Sequence, residues 1–331
     1  MSGAVPMAEI WRGPFLESVH LGHAVICGAD GEIVEAWGNP NEVVMPRSSS
    51  KMLQALPLIE SGAADAHGLN TEQLALACAS HQGAHIHTDR VNAWLATLGL
   101  SDADFRCGAQ EPTDRAAMEE LIRAGEKPCQ VHNNCSGKHA GFLTLTRHLK
   151  AGPEYVDPSH AVQKACLEAF EGVTGETSPG YGIDGCSAPN FATTLHGMAR
   201  AMAFFAAAEE GAGTRASAAA RLRKAMVLHP ELVAGEGRAC TELMRAMNGR
   251  VALKTGAEAF FIAIVPEKKL GIALKIVDGS TRGSEAAITA ILIWLGLLDP
   301  EHPAARKRLN APIRNWNGIK TGSIQAGSTF R

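Results

Sequence analysis

The chain has 331 residues, of which 46% are hydrophobic, 20% are charged and 5% are aromatic. This composition is typical of a packed globular protein and excludes a mainly disordered or collagen-like chain. A formal net charge of −3 gives no electrostatic reason to expect nucleic acid or an anionic membrane as a partner. The first residues lack a signal-peptide pattern, and no apolar run reaches the roughly 18 residues of a membrane span. We therefore expect a cytoplasmic protein.

The chain's eight cysteines are scattered and lack the regular spacing of a secreted disulfide framework. In a reducing compartment, most of them should be small buried hydrophobic side chains. A cysteine with a further role must then be identified by its neighbours.

The chain opens with two β-prone runs, 23–27 and 32–37, around a glycine-bounded turn, and this pattern predicts a hairpin. After Pro46, apolar residues at helical spacing predict a helix that ends near Gly62. The same spacing predicts further helices at 71–78, 88–98, 113–124, 137–149, 160–170, 192–208 and 216–226.

After Pro230, the pattern changes to strands, followed by a long apolar helix and a polar tail without predicted structure. The strands are predicted at 250–254, 259–265 and 270–277, and the helix at 284–298. This order predicts an α/β (α+β) fold with a mainly antiparallel sheet built from both chain ends and flanked by helices. We expect one domain, 1–331, with a mainly helical insertion at about 60–235.

The first motif that could carry chemistry is Ser48-Ser-Ser-Lys51 at a helix start. Residues three apart on a helix share one face, so the Lys51 amine can reach the Ser48 hydroxyl. A serine becomes a good nucleophile when a neighbouring base removes its proton. Lysine serves as that base where burial or a nearby cation lowers its pKa, and Arg47 is such a cation. The alternative is ordinary helix capping by a serine.

The second motif is Lys254-Thr-Gly256, which ends one predicted strand just before the next begins. An S-x-x-K motif and a later K-T-G motif are two elements of the serine β-lactamase and penicillin-binding signature. Another K-T-G starts at Lys320, but the predicted irregular tail around it favours Lys254. Together the two motifs predict a serine–lysine acyl-transfer site.

A third cluster could bind a metal. One short segment contains Cys135, Lys138 and His139, and Cys186 follows later in the chain. Two thiolates and a nitrogen ligand suit zinc, with a fourth position open to water. An amine must first lose a proton of pKa about 10, so general chemistry prefers His139 to Lys138 as the nitrogen ligand. The alternative is a turn that caps a helix through Ser136, with both cysteines merely buried.

Ser80 begins a segment that also contains His81, His85 and His87. Three histidines so close together suggest a metal, but a glycine interrupts the segment and no acidic ligand is adjacent, so we do not expect a metal there. Ser80 lies at the end of a predicted helix, where its hydroxyl could pair with Lys254.

Five motifs in order resemble those of the Rhizobium etli-type L-asparaginases, class 3 of the asparaginases, in the asparaginase II family. The motifs are RSSSKMLQALPLIESGAAD, ASHQGAHIHT, VHNNCSGKHAGFL, YGIDGCSAPNF and LKTGAEAFF. This resemblance implies hydrolysis of L-asparagine to L-aspartate and ammonia by a homodimer, with a fold similar to serine β-lactamases and glutaminases. It also implies two serine–lysine pairs beside a zinc site.

The resemblance assigns the serine–lysine pairs to particular residues. Ser48 matches the nucleophile and Lys51 its partner, while Ser80 matches the second serine and Lys254 its lysine.

The zinc ligands of the family fall on Cys135, Lys138 and Cys186, in place of the histidine preferred above. A metal cation stabilises a free amine, so a lysine ligand is chemically acceptable. A zwitterionic substrate also needs groups that bind its charges. The remaining expectations are that Arg47 and His139 bind substrate and that Asp184 holds its ammonium group.

Three alternatives remain at this point. A glutaminase uses the same chemistry and differs by one substrate methylene, worth about 1–3 kcal/mol in a pocket. A penicillin-binding enzyme would act outside the cytoplasm. A non-catalytic zinc-binding sensor on the same fold would be favoured by a missing serine or lysine, and none is missing.

Overall fold

A computed structural model describes residues 3–330. The chain forms two compact units within this range. The first contains residues 3–49, 193–207 and 242–330, and the second contains residues 50–192 and 208–241. The expected single domain with a helical insertion stays a prediction.

The strands are β1 Val5–Arg12, β2 Phe15–Cys27, β3 Ile33–Trp37, β4 Val43–Val44, β5 Tyr181–Ile183, β6 Pro189–Phe191, β7 Thr193–Thr194, β8 Ala252–Gly256, β9 Phe260–Val265, β10 Leu270–Ile276, β11 Ala311–Arg314 and β12 Lys320–Ala326. The α-helices are α1 Lys51–Gln54, α2 Leu56–Glu60, α3 Ala63–Ala66, α4 Thr71–Ala77, α5 His85–Thr97, α6 Arg115–Ala124, α7 Ser136–His148, α8 Ala161–Thr174, α9 Leu195–Ala207, α10 Thr214–Leu228, α11 Pro230–Val233, α12 Ala239–Ala246, α13 Thr281–Trp294 and α14 Pro303–Arg306.

The first unit is built on one sheet with the strand order β11-β12-β1-β2-β10-β9-β8, and β3 pairs with β2. All of its pairings are antiparallel, and strands from the two ends of the chain pair at β1–β12 and at β2–β10. In that pair, Ile26 lies opposite Ile272. The predicted fold class is therefore confirmed: a mainly antiparallel sheet built from both chain ends and flanked by helices.

Helices cover both faces of this sheet. Gly271 lies against α9, because a Cβ atom there would be 2.0 Å from the backbone nitrogen of Ala203. Five residues along β10, Ile276 contacts α13 at Gly283. Since successive side chains of a strand point to opposite faces, α9 and α13 pack on opposite faces. Ala286 and Ala290 of α13 form an apolar cluster with Ala8 of β1 and with Leu309.

The second unit is mainly helical and contains the β5–β6 hairpin. Helices α4 and α7 approach closely at Gly137, where a Cβ atom would lie 2.4 Å from the Leu76 carbonyl oxygen. This contact sets the spacing between two segments that carry candidate residues, because α4 leads toward Ser80 and α7 begins just after Cys135.

The helix predicted between Pro46 and Gly62 is divided into a 3₁₀ helix, α1 and α2. The other predicted helices and the central strands are confirmed, with ends shifted by about one turn. The prediction of an irregular tail is wrong, because β11 and β12 form a hairpin that joins the main sheet. Lys320-Thr-Gly322 therefore lies on β12, paired with β1. Strands β1 and β12 were not expected because their pairing is long-range and the local sequence near Lys320 is polar.

None of the helices within residues 3–330 is long and apolar enough to cross a membrane. All eight cysteines have free thiols, and seven of them are buried, as predicted for small hydrophobic side chains.

Candidate active site

The first candidate segment is a strained turn. A 3₁₀ helix, Arg47–Ser50, runs directly into α1. Arg47 has a φ of 50°, a left-handed conformation that costs a residue with a side chain about 1–2 kcal/mol. Such strain is concentrated where function fixes the backbone. Ser49 and Ser50 are buried while Ser48 is half-buried, so Ser48 is the accessible serine of the three.

The K-T-G strand packs against this turn within the first unit. Strand β8 is an edge of the main sheet, and Ser49 donates a hydrogen bond of 3.1 Å to the carbonyl of Lys254. A Cβ atom on Gly256 would lie 2.6 Å from the Pro46 carbonyl oxygen, so only glycine allows this approach. Lys254 is fully buried and its Nζ donates to the carbonyl of Thr255 at 2.6 Å.

In the second unit, Lys51 lies beside Ser80. The Lys51 Nζ donates to the Ser80 hydroxyl at 2.9 Å and also to the carbonyl of Ala79. Lys51 is 1% exposed and Ser80 is 9% exposed. An amine and a hydroxyl at this distance can exchange a proton. The sequence paired Lys51 with Ser48, and the structure adds Ser80 as a direct partner.

His81 connects the Ser80 segment to the start of α7. Its backbone N–H donates to the Asn134 carbonyl at 3.2 Å. Its Nδ1 accepts from the N–H of Gly83, so the proton of the neutral ring is on Nε2. Nε2 therefore donates to the Ser136 hydroxyl at 2.8 Å. Burial, together with the charges of neighbouring basic groups, holds the pKa of His81 well below its usual value.

The other two histidines of this segment point to different partners. The His85 ring contacts the Glu120 carboxylate at 2.7 Å, and the His87 ring contacts the Glu231 carbonyl at 2.9 Å. His87 also stacks on His81, with ring centroids 4.8 Å apart. The three rings therefore do not share one ligand position.

Cys135, Lys138 and Cys186 come together although 48 residues separate Lys138 from Cys186. Cys186 lies in the turn between β5 and β6, while Lys138 is in the first turn of α7. The Lys138 Nζ donates to the Cys186 sulfur at 3.1 Å. The Cys135 thiol donates to the Asn134 side-chain oxygen at 2.9 Å and interacts with the Cys186 sulfur, and all three residues are at most 5% exposed.

These contacts decide the charges in the cluster. The adjacent Cys135 side chain, together with the Lys138 amine, lowers the pKa of Cys186 well below its usual value. The Cys186 sulfur, together with burial, raises the pKa of Cys135. Burial alone would lower the pKa of Lys138, but the two sulfurs outweigh burial and raise it. These interactions therefore favour negative charge on Cys186 and positive charge on Lys138.

The donor set of this cluster fits a zinc ion. Two sulfurs and one amine nitrogen meet, and a metal would replace the thiol proton and one ammonium proton. Within residues 3–330, no three His, Cys, Asp or Glu side chains are arranged to hold a metal. A zinc ion here would therefore need Lys138 as its third protein ligand.

The two remaining substrate-binding candidates of the second unit are His139 and Asp184. His139 follows Lys138 in α7, and its Nδ1 lies 2.9 Å from the Tyr155 hydroxyl. Burial lowers the pKa of His139 to about 4. Asp184 is half-buried in the turn that carries Cys186, and its carboxylate accepts the N–H of Gly185 at 2.7 Å.

Sequence reasoning missed the contacts of Ser136 and Tyr155. Ser136 was interpreted as a possible helix cap, yet it makes no capping bond and contacts His81. Its position between Cys135 and Lys138 is a signal that could have identified it. Tyr155 lies in an irregular segment between α7 and α8, where no periodic pattern indicates its partner.

A buried lysine–serine pair near a thiol–amine cluster, on a mixed α/β fold, is suited to amide hydrolysis. The sequence model of the L-asparaginase II family matches residues 8–326, nearly the whole chain. The chain therefore belongs to the L-asparaginase II family, a family of amidohydrolases. No curated protein sequence matches the chain.

Solved structures show more distant similarities. Mglu in its native form is 14% identical over 85% of this chain and 66% of its own, with a TM-score of 0.46. A β-lactamase from Mycobacterium bovis is 12% identical over 84% of this chain and 95% of its own, with a TM-score of 0.37. An octameric penicillin-binding protein homologue from Pyrococcus abyssi is 12% identical over 90% of this chain and 80% of its own, with a TM-score of 0.36. The chain spans slightly less than two thirds of Mglu.

Proposed function

We propose that this protein is an L-asparaginase of the Rhizobium etli type, which hydrolyses L-asparagine to L-aspartate and ammonia. Membership of the L-asparaginase II family supports the amide substrate. The observation that carries the serine–lysine mechanism is the buried hydrogen bond of 2.9 Å between Lys51 and Ser80. It joins an amine to a hydroxyl in a place from which water is largely excluded.

In the proposed mechanism, Ser48 is the nucleophile and Lys51 is the base. The Ser48 oxygen attacks the side-chain amide carbon while its proton passes to Lys51. The C–N bond then breaks, and Lys51 returns the proton through Ser80 to the nitrogen, which leaves as ammonia. Water hydrolyses the acyl-enzyme and restores the Ser48 hydroxyl. Lys254 remains the proposed lysine of the second pair.

Charged groups of the substrate require complementary partners. Asp184 is proposed to bind the ammonium group, and Arg47 and His139 the carboxylate. Cys135, Lys138 and Cys186 would hold a zinc ion, which when bound supplies a positive charge that orients the substrate.

The family resemblance also supports a homodimer, and the scattered cysteines support the proposed cytoplasmic location. Light scattering of the purified protein would test the oligomeric state, and a molar mass near 34.9 kDa would contradict the dimer.

The first experiment is ammonia release from L-asparagine and, separately, from L-glutamine. We expect release from asparagine and a loss of about 10³-fold or more in Ser48→Ala. Ser61→Ala is a matched control, since the Ser61 hydroxyl bonds the Pro57 carbonyl at the end of α2. Normal turnover in a folded Ser48→Ala protein would contradict the assignment of Ser48 as the nucleophile.

The same assay separates the rival functions. Comparable release from glutamine would identify a glutaminase-asparaginase. Silence with both substrates in folded, zinc-loaded protein would overturn the proposal and favour another amide substrate or a non-catalytic sensor.

A further inference from the structure

A chain of hydrogen bonds ends at His139, beside the thiol–amine cluster of Cys135, Lys138 and Cys186. The backbone N–H of Arg106 donates to the Tyr155 hydroxyl oxygen at 2.8 Å. The same oxygen lies 2.9 Å from the Nδ1 of His139. Tyr155 and His139 are both fully buried.

The protons of this chain can be assigned by counting donors and acceptors. A tyrosine hydroxyl carries one proton, and the Arg106 N–H cannot accept it. Its acceptor among the contacts of residues 3–330 is the Nδ1 of His139. Nδ1 then has no proton of its own, and the neutral ring carries its proton on Nε2.

The other nitrogen of the His139 ring has no partner within residues 3–330. Nε2 is buried and makes no hydrogen bond there. Lys138 and Cys186 of the cluster are among the groups that interact electrostatically with this ring. A buried N–H without an acceptor is rare in folded proteins and indicates a bound group that is not part of the chain.

Aromatic neighbours hold the ring in this orientation. Phe105, Phe142 and Tyr155 surround it, with centroid distances of 6.5, 5.6 and 5.4 Å and steep interplanar angles. The segment of Tyr155 is itself anchored, because Gln163 donates to its backbone carbonyl at 2.7 Å. The ring therefore has little freedom to turn over.

We propose that Tyr155 is a positioning residue that fixes His139 with its Nε2 proton directed at an oxygen acceptor of the substrate, the α-carboxylate in the proposed reaction. This inference rests on the proposed function for the identity of the ligand. The direction of the proton rests on hydrogen-bond geometry alone.

The test compares Tyr155→Phe with Tyr181→Phe. The protein has two tyrosines, and Tyr181 is 53% exposed on β5, so it is a matched control. Ring ¹⁵N spectra of histidine-labelled protein should show the His139 proton on Nε2 in the parent and in Tyr181→Phe. In Tyr155→Phe, the signals should shift toward a mixture of tautomers. Loss of the signals in His139→Gln assigns them.

Kinetics give a second readout. In Tyr155→Phe, we expect KM for L-asparagine to rise about tenfold while kcat changes less than about threefold, as for a lost hydrogen bond to a charged group. His139→Gln should retain a lower KM than His139→Asn, because the glutamine amide reaches the position of Nε2. A lower KM in His139→Asn than in His139→Gln would contradict the proposal.

The spectra separate this inference from the proposed function. A parent protein with the His139 proton on Nδ1, or a Tyr155→Phe variant with unchanged tautomer, would overturn the role of Tyr155 even in an active asparaginase. If the tautomers are as expected but the protein has no asparaginase activity, the positioning role of Tyr155 is supported and only L-asparagine as the substrate is rejected.

Discussion

Two lysines of the second unit are both buried beside a nucleophilic side chain, yet their surroundings differ. Lys51 lies 2.9 Å from the Ser80 hydroxyl and also donates to a backbone carbonyl. Lys138 lies 3.1 Å from the Cys186 sulfur, next to a second thiol. A hydroxyl can exchange its proton with an amine, whereas a thiolate pairs with the ammonium charge until a metal replaces the proton. The neighbouring atom, rather than burial, distinguishes the lysine proposed to carry a proton from the lysine proposed to bind a metal.

The largest expected effect is at Lys51. Lys51→Met keeps the volume of the side chain but removes the amine, and we expect kcat for L-asparagine to fall about 10²–10⁴-fold. Lys275→Met is the matched control, because Lys275 is 7% exposed and donates to backbone carbonyls of the first unit. Steady-state ammonia release measures both variants. A folded Lys51→Met protein with kcat close to the control would remove Lys51 from the mechanism.

The sequence could predict both of these lysines, and Cys186 beside Lys138, but not the contact between Lys51 and Ser80. Lys51 and Lys138 lie in short motifs, so local spacing is enough to select them. Ser80 is 29 residues from Lys51, and its approach depends on how α4 packs. Cys186 was a candidate zinc ligand from the residues alone, but its contact with Lys138 depends on the β5–β6 turn.

The same limit explains the errors in the fold. Central strands such as β9 are continuous apolar runs and were predicted from composition. Strand β12 is stabilised by its pairing with β1, at the opposite end of the chain, so its own residues gave no signal. Tyr155 was missed for the same reason, since its partners lie in other segments.

A smaller effect is expected at the thiol–amine cluster. Cys135→Ala should lose stoichiometric zinc and reduce kcat/KM about 10–100-fold, because the metal is proposed to orient the substrate while the serine–lysine chemistry remains. Cys166→Ala is the matched control, since Cys166 is buried in α8 and donates to the carbonyl of Gln54. Metal analysis and ammonia release measure both variants.

Lys138→Met sharpens this test of the comparison. If the amine is a ligand, this variant should lose zinc as Cys135→Ala does and keep more activity than Lys51→Met. A full equivalent of zinc in Lys138→Met would show that the two sulfurs bind the metal without the lysine.

The smallest expected effect is on stability, and it tests the spacing between α4, which leads to the Ser80 partner of Lys51, and α7, which carries Lys138. In α7, a Cβ atom added to Gly137 would lie 2.4 Å from the Leu76 carbonyl oxygen of α4. A Cβ atom added to Gly141 would have its nearest neighbour at 3.4 Å, which is an ordinary contact. Gly137→Ala should therefore push α7 from α4 and cost about 1–3 kcal/mol of unfolding free energy. Gly141→Ala should gain about 0.5–1 kcal/mol, because alanine favours the helix and meets no backbone. Urea unfolding measures both, and equal shifts of the same sign would show that the α4–α7 contact does not depend on Gly137. If the α4–α7 contact depends on Gly137, kcat should fall in Gly137→Ala and not in Gly141→Ala, because α4 leads to Ser80 and α7 carries Lys138.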